Sequence, residues 1–316
     1  MRPAPLGWPS NGGPPMNRRT LMAAGAAAAL TTSGGACAHA VTSATQAPFE
    51  SNRIQVSAEG RGPDVVLIPG LSSHPEIWDD IARRLAPTHR VHRVHVRGFA
   101  GLDAGANAQG PFIEPVAHAI AEYMESQKLR GAAVIGHSLG GSLAMRVASH
   151  HPEQVGRLMV VDMVPFNGVW FGPPGTTAQT VAPVADATAA RLAGMTREQW
   201  TAAATPAVAA MITDEAKRAV PIRHAAQTDN AVAARAMRDL IATDLRPELA
   251  KLTIPVTVLY VHGPNIPLDG AVIDAVFTQQ FAGVPTAKVK FIPNSRHFIM
   301  LDQPEAFASE VNAFLE

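Results

Sequence analysis

The sequence is short of several things, and each shortage narrows what it can be. Its 316 residues hold one cysteine, Cys37, so there is no internal disulfide framework and no cysteine-built metal site. Basic residues never stand more than two in a row and the formal net charge is zero, which argues against a nucleic-acid partner. Past the N-terminus no apolar run reaches the roughly 20 residues that a membrane-spanning helix needs. Only 16% of residues are charged while 47% are hydrophobic, which excludes general disorder and leaves enough apolar side chain for a sizeable core.

The first 40 residues read apart from the rest. Five prolines and three glycines fill residues 1–15, a stretch with no means of packing. Arg18-Arg19 then precedes a mildly apolar run, Leu21–Leu30, and the small-residue site Ala38-His39-Ala40. A charged region, an apolar region and an A-x-A site in that order spell a cleavable export signal, and the paired arginines resemble a bacterial twin-arginine signal. The expectation is export to the periplasm with cleavage after Ala40. Lipid anchoring at Cys37 is the weaker alternative, because Gly34 stands where a lipoprotein site prefers a leucine-like residue. Cleavage would remove Arg2, Arg18 and Arg19 and no acid, giving a mildly acidic, cysteine-free mature chain suited to an oxidising compartment.

The chemistry concentrates in the stretch Ala132 to His150. Ala132–Ile135 is an apolar run fit for a strand buried on both faces. Gly136-His137-Ser138-Leu139-Gly140 follows as G-x-S-x-G, and Leu143, Ala144, Val147 and Ala148 then recur at helical spacing. A strand that turns at once into a helix must bend sharply. The two glycines remove the side chains that would clash there, and the turn holds Ser138 at its tip as a candidate nucleophile.

Around that stretch, strand-like and helix-like segments alternate. Strands are expected at Arg53–Ser57, Val65–Ile68, Val91–Val96 and Leu158–Val161, and helices near Pro75–Leu85 and Ile113–Gln127. Such alternation implies an α/β protein with a mostly parallel, doubly wound sheet. In Pro69-Gly70-Leu71, Arg97-Gly98, Gly136–Gly140 and Ser295-Arg296-His297-Phe298 the chain resembles the α/β-hydrolase fold superfamily, over roughly residues 53–165 and 250–316. It departs from that family where Pro69 replaces the usual histidine of a His-Gly-X loop. The resemblance implies an oxyanion hole made by the main-chain N–H groups of Leu71 and Leu139.

A serine hydroxyl needs a neighbouring base near neutral pH. Of twelve histidines, His297 follows the last expected strand, Val289–Ile292, and precedes the C-terminal helix, Pro304–Leu315, so it is the candidate base. His74, His118 and His224 read as surface or cap residues, and His137, inside the turn, as a residue of packing and orientation rather than proton transfer. The acid is less plain. The family's usual place for it falls near Asn265 or Ile266, neither of them acidic. Asp162, directly after Leu158–Val161, is the leading candidate and Asp269 the second, with no carboxylate partner as the remaining possibility.

Residues 163–250 break the alternation. An aromatic loop containing Phe166, Trp170 and Phe171 leads into alanine-rich helical segments, expected at 184–193, 197–210, 214–228 and 231–244. The organisation implied is a removable signal (1–40), a first core segment (41–162), an inserted helical cap (163–250) and a second core segment (251–316). Phe166, Trp170 and Phe171 are candidates for a substrate pocket; the methionines here, Met195, Met211 and Met237, fit the cap's own core better. The function implied is a serine hydrolase acting on a small carboxylic ester, thioester or lactone, with no metal or organic cofactor. A non-catalytic binding protein on the same scaffold, motivated by the atypical acid loop, and an acyltransferase are the alternatives.

Overall fold

A computed structural model describes residues 48–263 and 268–316. The export signal, Cys37, and the loop positions Asn265 and Ile266 lie outside the described residues.

The strands are β1 (Phe49–Glu50), β2 (Ile54–Gly60), β3 (Asp64–Ile68), β4 (Arg90–Val96), β5 (Ala132–His137), β6 (Val155–Val161), β7 (Val256–Tyr260) and β8 (Ala287–Phe291). They form one sheet in the order β1-β2-β4-β3-β5-β6-β7-β8. Only the β1–β2 and β2–β4 pairings are antiparallel; β4 through β8 run parallel. The helices of the first core segment are α1 (Asp79–Leu85), α2 (Ile113–Ser126) and α3 (Leu139–His150). Between β6 and β7 the chain forms α4 (Ala178–Ala193), α5 (Arg197–Ala209), α6 (Ala219–Gln227), α7 (Asn230–Ala242) and the single turn α8 (Arg246–Leu249). The chain closes with α9 (Gly270–Phe281), α10 (Ile299–Asp302) and α11 (Pro304–Leu315).

Alternation along the central strands explains the two layers of core. Val66 and Ile68 of β3, Val134 of β5, and Leu158 and Val160 of β6 face a cluster that includes side chains of α2, α3 and α9. Their neighbours Val65, Leu67, Ala133, Ile135, Met159 and Val161 face the opposite cluster, with α1, α10 and α11. A strand buried on both faces reads as a continuous apolar run, which is why β3, β5 and β6 stand out in the sequence. The chain winds outward from β3 to β4 and then returns to β5 on the other side. The β3/β5 boundary is therefore the switch point of the sheet, where the crevice at the carboxyl ends of the strands opens.

The described residues form one compact unit, and the helices between β6 and β7 pack within it. Phe166, Val181, Ala185 and Ile241 form a small apolar cluster inside that insertion. Main-chain bonds tie it to the core: Asp229 N–H donates to the Gly98 carbonyl at 2.8 Å, and Ala100 N–H donates to Thr228 Oγ1 at 3.0 Å.

Two of the elements that differ from the sequence expectation are α4 and α9. Helix α4 starts at Ala178, six residues before the expected Val184, because Thr177 and Thr180 build a reciprocal cap there and Pro183 is carried inside the helix. Helix α9 is additional: Asp269 caps its start, accepting from Ala271 N–H at 2.8 Å. No helix among the described residues is long and apolar enough to cross a membrane.

Candidate active site

Four loops meet at the carboxyl edge of the parallel strands, and each carries one part of the site. The turn from β5 to α3 carries Ser138. Its backbone is held at φ 53° and ψ −125°, a region that side-chain-bearing residues seldom occupy. The glycines on either side are required by contact. A Cβ at Gly136 would lie 2.2 Å from the Gly140 carbonyl oxygen, and one at Gly140 would lie 2.2 Å from the Ile68 carbonyl oxygen. A serine just before a helix usually caps it with its own hydroxyl. Here Ser138 makes no side-chain capping bond, and among the described residues its Oγ is in no hydrogen bond. The turn is fixed instead by Ser138 N–H donating to the Val161 carbonyl at 2.9 Å and by Gly141 N–H donating to the Ser138 carbonyl at 2.7 Å.

The loop after β3 approaches the same point. At Gly70 a Cβ would stand 3.0 Å from both Ser138 Cβ and His137 Nδ1, so the backbone can come this close only without a side chain. Leu71 follows Gly70 in this loop. Leu139 begins α3 directly after it, where the first N–H groups of a helix have no partner within the helix. Among the described residues, neither the Leu71 nor the Leu139 N–H is taken by a protein acceptor.

The remaining two loops bring a base and an acid together. His297, in the loop after β8, lies with Nδ1 2.6 Å from Asp162 Oδ2, and Asp162 stands directly after β6. The other oxygen of Asp162 accepts from Val261 N–H at 3.2 Å, and its own N–H donates to the Leu259 carbonyl at 2.7 Å. The carboxylate is thus aimed from the neighbouring strand. With Nδ1–H donating to it, Nε2 is the basic nitrogen of His297. Asp269, the other candidate acid, is exposed and occupied with capping α9. The His297 loop is stitched to the insertion: Asp302 accepts from Arg296 N–H at 2.8 Å and from Thr213 N–H at 2.9 Å, and Arg296 Nη1 donates to the Ala210 carbonyl at 3.0 Å.

His137 is wholly buried against this arrangement. Its Nε2–H donates to the main-chain carbonyl of His297 at 2.9 Å, while its Nδ1 has no partner among the described residues. Burial first, and the nearby His297 ring second, push the His137 pKa well below the ordinary histidine value, so the ring is neutral. The sequence marks this residue only as part of the turn. Its reach to a carbonyl 160 residues away leaves no local signal.

The three aromatic candidates separate. Phe166 is fully buried in the insertion's own apolar cluster, with the Arg246 guanidinium 5.1 Å from its ring centre. Trp170 is half-buried, its ring 6.4 Å from that of Phe277, and Phe171 is exposed. Among the described residues one group has the composition of a metal site: His74, Glu76 and His224. The Nδ1 atoms of both histidines are already engaged by main-chain donors. His74 Nδ1 accepts from Glu76 N–H at 3.0 Å, and His224 Nδ1 accepts from His74 N–H at 3.3 Å. Each ring therefore carries its hydrogen on Nε2, and that of His224 donates to the Glu76 carboxylate, which Arg223 also holds. Burial alone would raise the Glu76 pKa, but these bonds outweigh it and keep the carboxyl below its ordinary range. The group works as a latch between α6 and the segment after the Gly70 loop.

A model of the "Alpha/beta hydrolase family" matches residues 65–310. The chain is similar to the pimeloyl-[acyl-carrier protein] methyl ester esterase of Vibrio cholerae, with 30% identity over 81% of this chain and 95% of that protein. The same enzyme of Vibrio vulnificus is 26% identical over 84% of this chain and 98% of its own. Among solved structures, the enol-lactonase of Burkholderia xenovorans superposes with a TM-score of 0.66 at 20% identity, covering 83% of this chain and 96% of that one. An esterase of Exiguobacterium antarcticum gives 0.68 at 19% identity, over 83% and 95%. These structures share the fold. The chain belongs to the alpha/beta hydrolase family.

Proposed function

We propose that the protein is a serine hydrolase that cleaves a small carboxylic ester through an acyl-enzyme on Ser138. The observation that carries this reading is the 2.6 Å pairing of His297 with Asp162 at the sheet edge where Ser138 Oγ stands uncommitted. His297 Nε2 takes the proton as Ser138 Oγ attacks the ester carbonyl. The Leu71 and Leu139 N–H groups hold the oxygen that becomes negative. The tetrahedral intermediate then collapses, and His297 returns the proton to the departing alcohol. A water molecule, activated by the same histidine, releases the acid and restores the serine. Asp162 keeps the imidazole in the right tautomer and stabilises the imidazolium.

The names of the relatives favour an ester of a small alcohol; thioesters and lactones fall within the same chemistry. The helical insertion is assigned the part of a cap, with Trp170 and Phe171 on the acyl side of the pocket. The Arg18-Arg19 segment is assigned to export, and fractionation of cells making the full chain should place the mature protein in the periplasm. The function is tested by turnover of p-nitrophenyl esters from acetyl to decanoyl. Ser138→Ala should abolish it, and Asp162→Asn should lower kcat about 10³-fold or more, because the imidazole loses its orienting charge. A Ser138→Ala variant as active as the wild type would overturn the reading.

A further inference from the structure

We propose that His137 is a positioning residue for the reaction: its Nε2–H holds the main-chain carbonyl of His297 while its ring backs the Gly70 loop, so that one buried imidazole fixes nucleophile, base and oxyanion loop against each other. The proposal rests on the serine-hydrolase reading above.

Four contacts carry it. The 2.9 Å bond from His137 Nε2 runs to the backbone of the base, not to its ring, so it sets where His297 stands without competing for its nitrogens. The two rings lie with centroids 4.5 Å apart, and Phe298 packs on His137 at 4.9 Å, which closes the base's loop over it. On the other side a Cβ at Gly70 would stand 3.0 Å from His137 Nδ1, so the Gly70 backbone, next to the proposed oxyanion donor Leu71, lies against this ring with no room for a side chain between them. His137 is itself the residue before Ser138. The three catalytic segments thus share one rigid side chain.

The unpartnered Nδ1 points the same way. An apolar side chain would fill this space without leaving a buried acceptor unsatisfied, so packing alone does not account for an imidazole here. The donor on the opposite nitrogen does. Burial also keeps the ring neutral, so it does not repel the charge that His297 acquires when it takes the serine proton.

The test compares His137→Leu, which removes the donor, with His137→Gln, whose amide nitrogen lies the same number of bonds from the backbone as Nε2. Kinetics with the best p-nitrophenyl ester are read beside thermal midpoints and beside the low-field proton resonance of the His297 Nδ1–H. His137→Leu should lower kcat about 10- to 100-fold with KM within about threefold, because small misplacements of a catalytic group cost that much in rate. It should also broaden or shift the low-field resonance. His137→Gln should recover kcat to within about threefold of wild type and restore the resonance. The proposal is overturned if His137→Leu keeps both its kcat and the resonance. It is equally overturned if both variants lose activity only in proportion to lost folded protein. Absence of turnover in the wild type, or full activity in Ser138→Ala, would count against the hydrolase reading instead; the resonance would still decide the role of His137.

Discussion

Ser138 holds a conformation that its neighbours impose on it, and the cost is measurable. At φ 53° with a side chain attached, the backbone is strained by roughly 1 kcal/mol or more. Ser138→Gly should therefore raise the stability of the fold by about 1 kcal/mol while removing the hydroxyl, a gain readable as a higher midpoint in urea. A lower midpoint would mean that the serine side chain holds the turn in a way the contacts do not reveal. Ser138 was legible because a strained turn between a strand and a helix needs glycines at fixed offsets, and the pattern is local. The pairing of His297 with Asp162 was harder to read. It depends on β6, β7 and β8 lying side by side, and only the order of elements along the chain hinted at it. The bond from His137 to the His297 carbonyl had no signature at all, since its acceptor is main chain and any residue at that position would provide it.

Helix α2 shows how far an element can depend on a distant one. Phe112, the residue before its first turn, supplies no capping side chain. Asp239 of α7 does so instead, accepting from Phe112 N–H at 2.6 Å and from Ile113 N–H at 3.2 Å. The insertion therefore caps a core helix. Asp239→Ala leaves those two N–H groups without their acceptor, and an expected loss of about 1–2 kcal/mol follows. Denaturant unfolding checks this, and an unchanged midpoint would show that the bonds contribute nothing. The same dependence explains which elements the sequence hid. In α9, Ile273, Phe277 and Phe281 face the core at helical spacing, but Val272 on the outward side is also apolar and exposed, so the helical stripe is blurred. In α4 the proline at 183 mimics a helix start. The core strands, apolar throughout, had no such competition.

At the scale of the whole molecule, buried and half-buried histidines set the response to pH. His74, His92, His95, His137 and His224 all have pKa values lowered chiefly by burial, that of His95 to about 4. In the unfolded chain they titrate near the ordinary value of about 6.5. Below that pH the unfolded state binds protons that the folded state refuses, so stability rises with pH and is lost as pH falls. Asp64 and Glu76 act lower, since both carboxyls are held below their ordinary range and stay charged. Calorimetry should show the thermal midpoint falling steadily from pH 7.5 to pH 5, with proton uptake on unfolding at pH 5.5. A midpoint constant over that window would contradict the buried, neutral state of these rings.

The central claim is that Ser138 carries the acyl group. Its most direct measurement is the intact mass of the protein quenched in acid during turnover of p-nitrophenyl butyrate, followed by peptide mapping. The account predicts a single butyryl adduct on the peptide that contains Ser138, absent from Ser138→Ala. A butyryl group on any other residue, or hydrolysis that proceeds at full rate in Ser138→Ala, would contradict it.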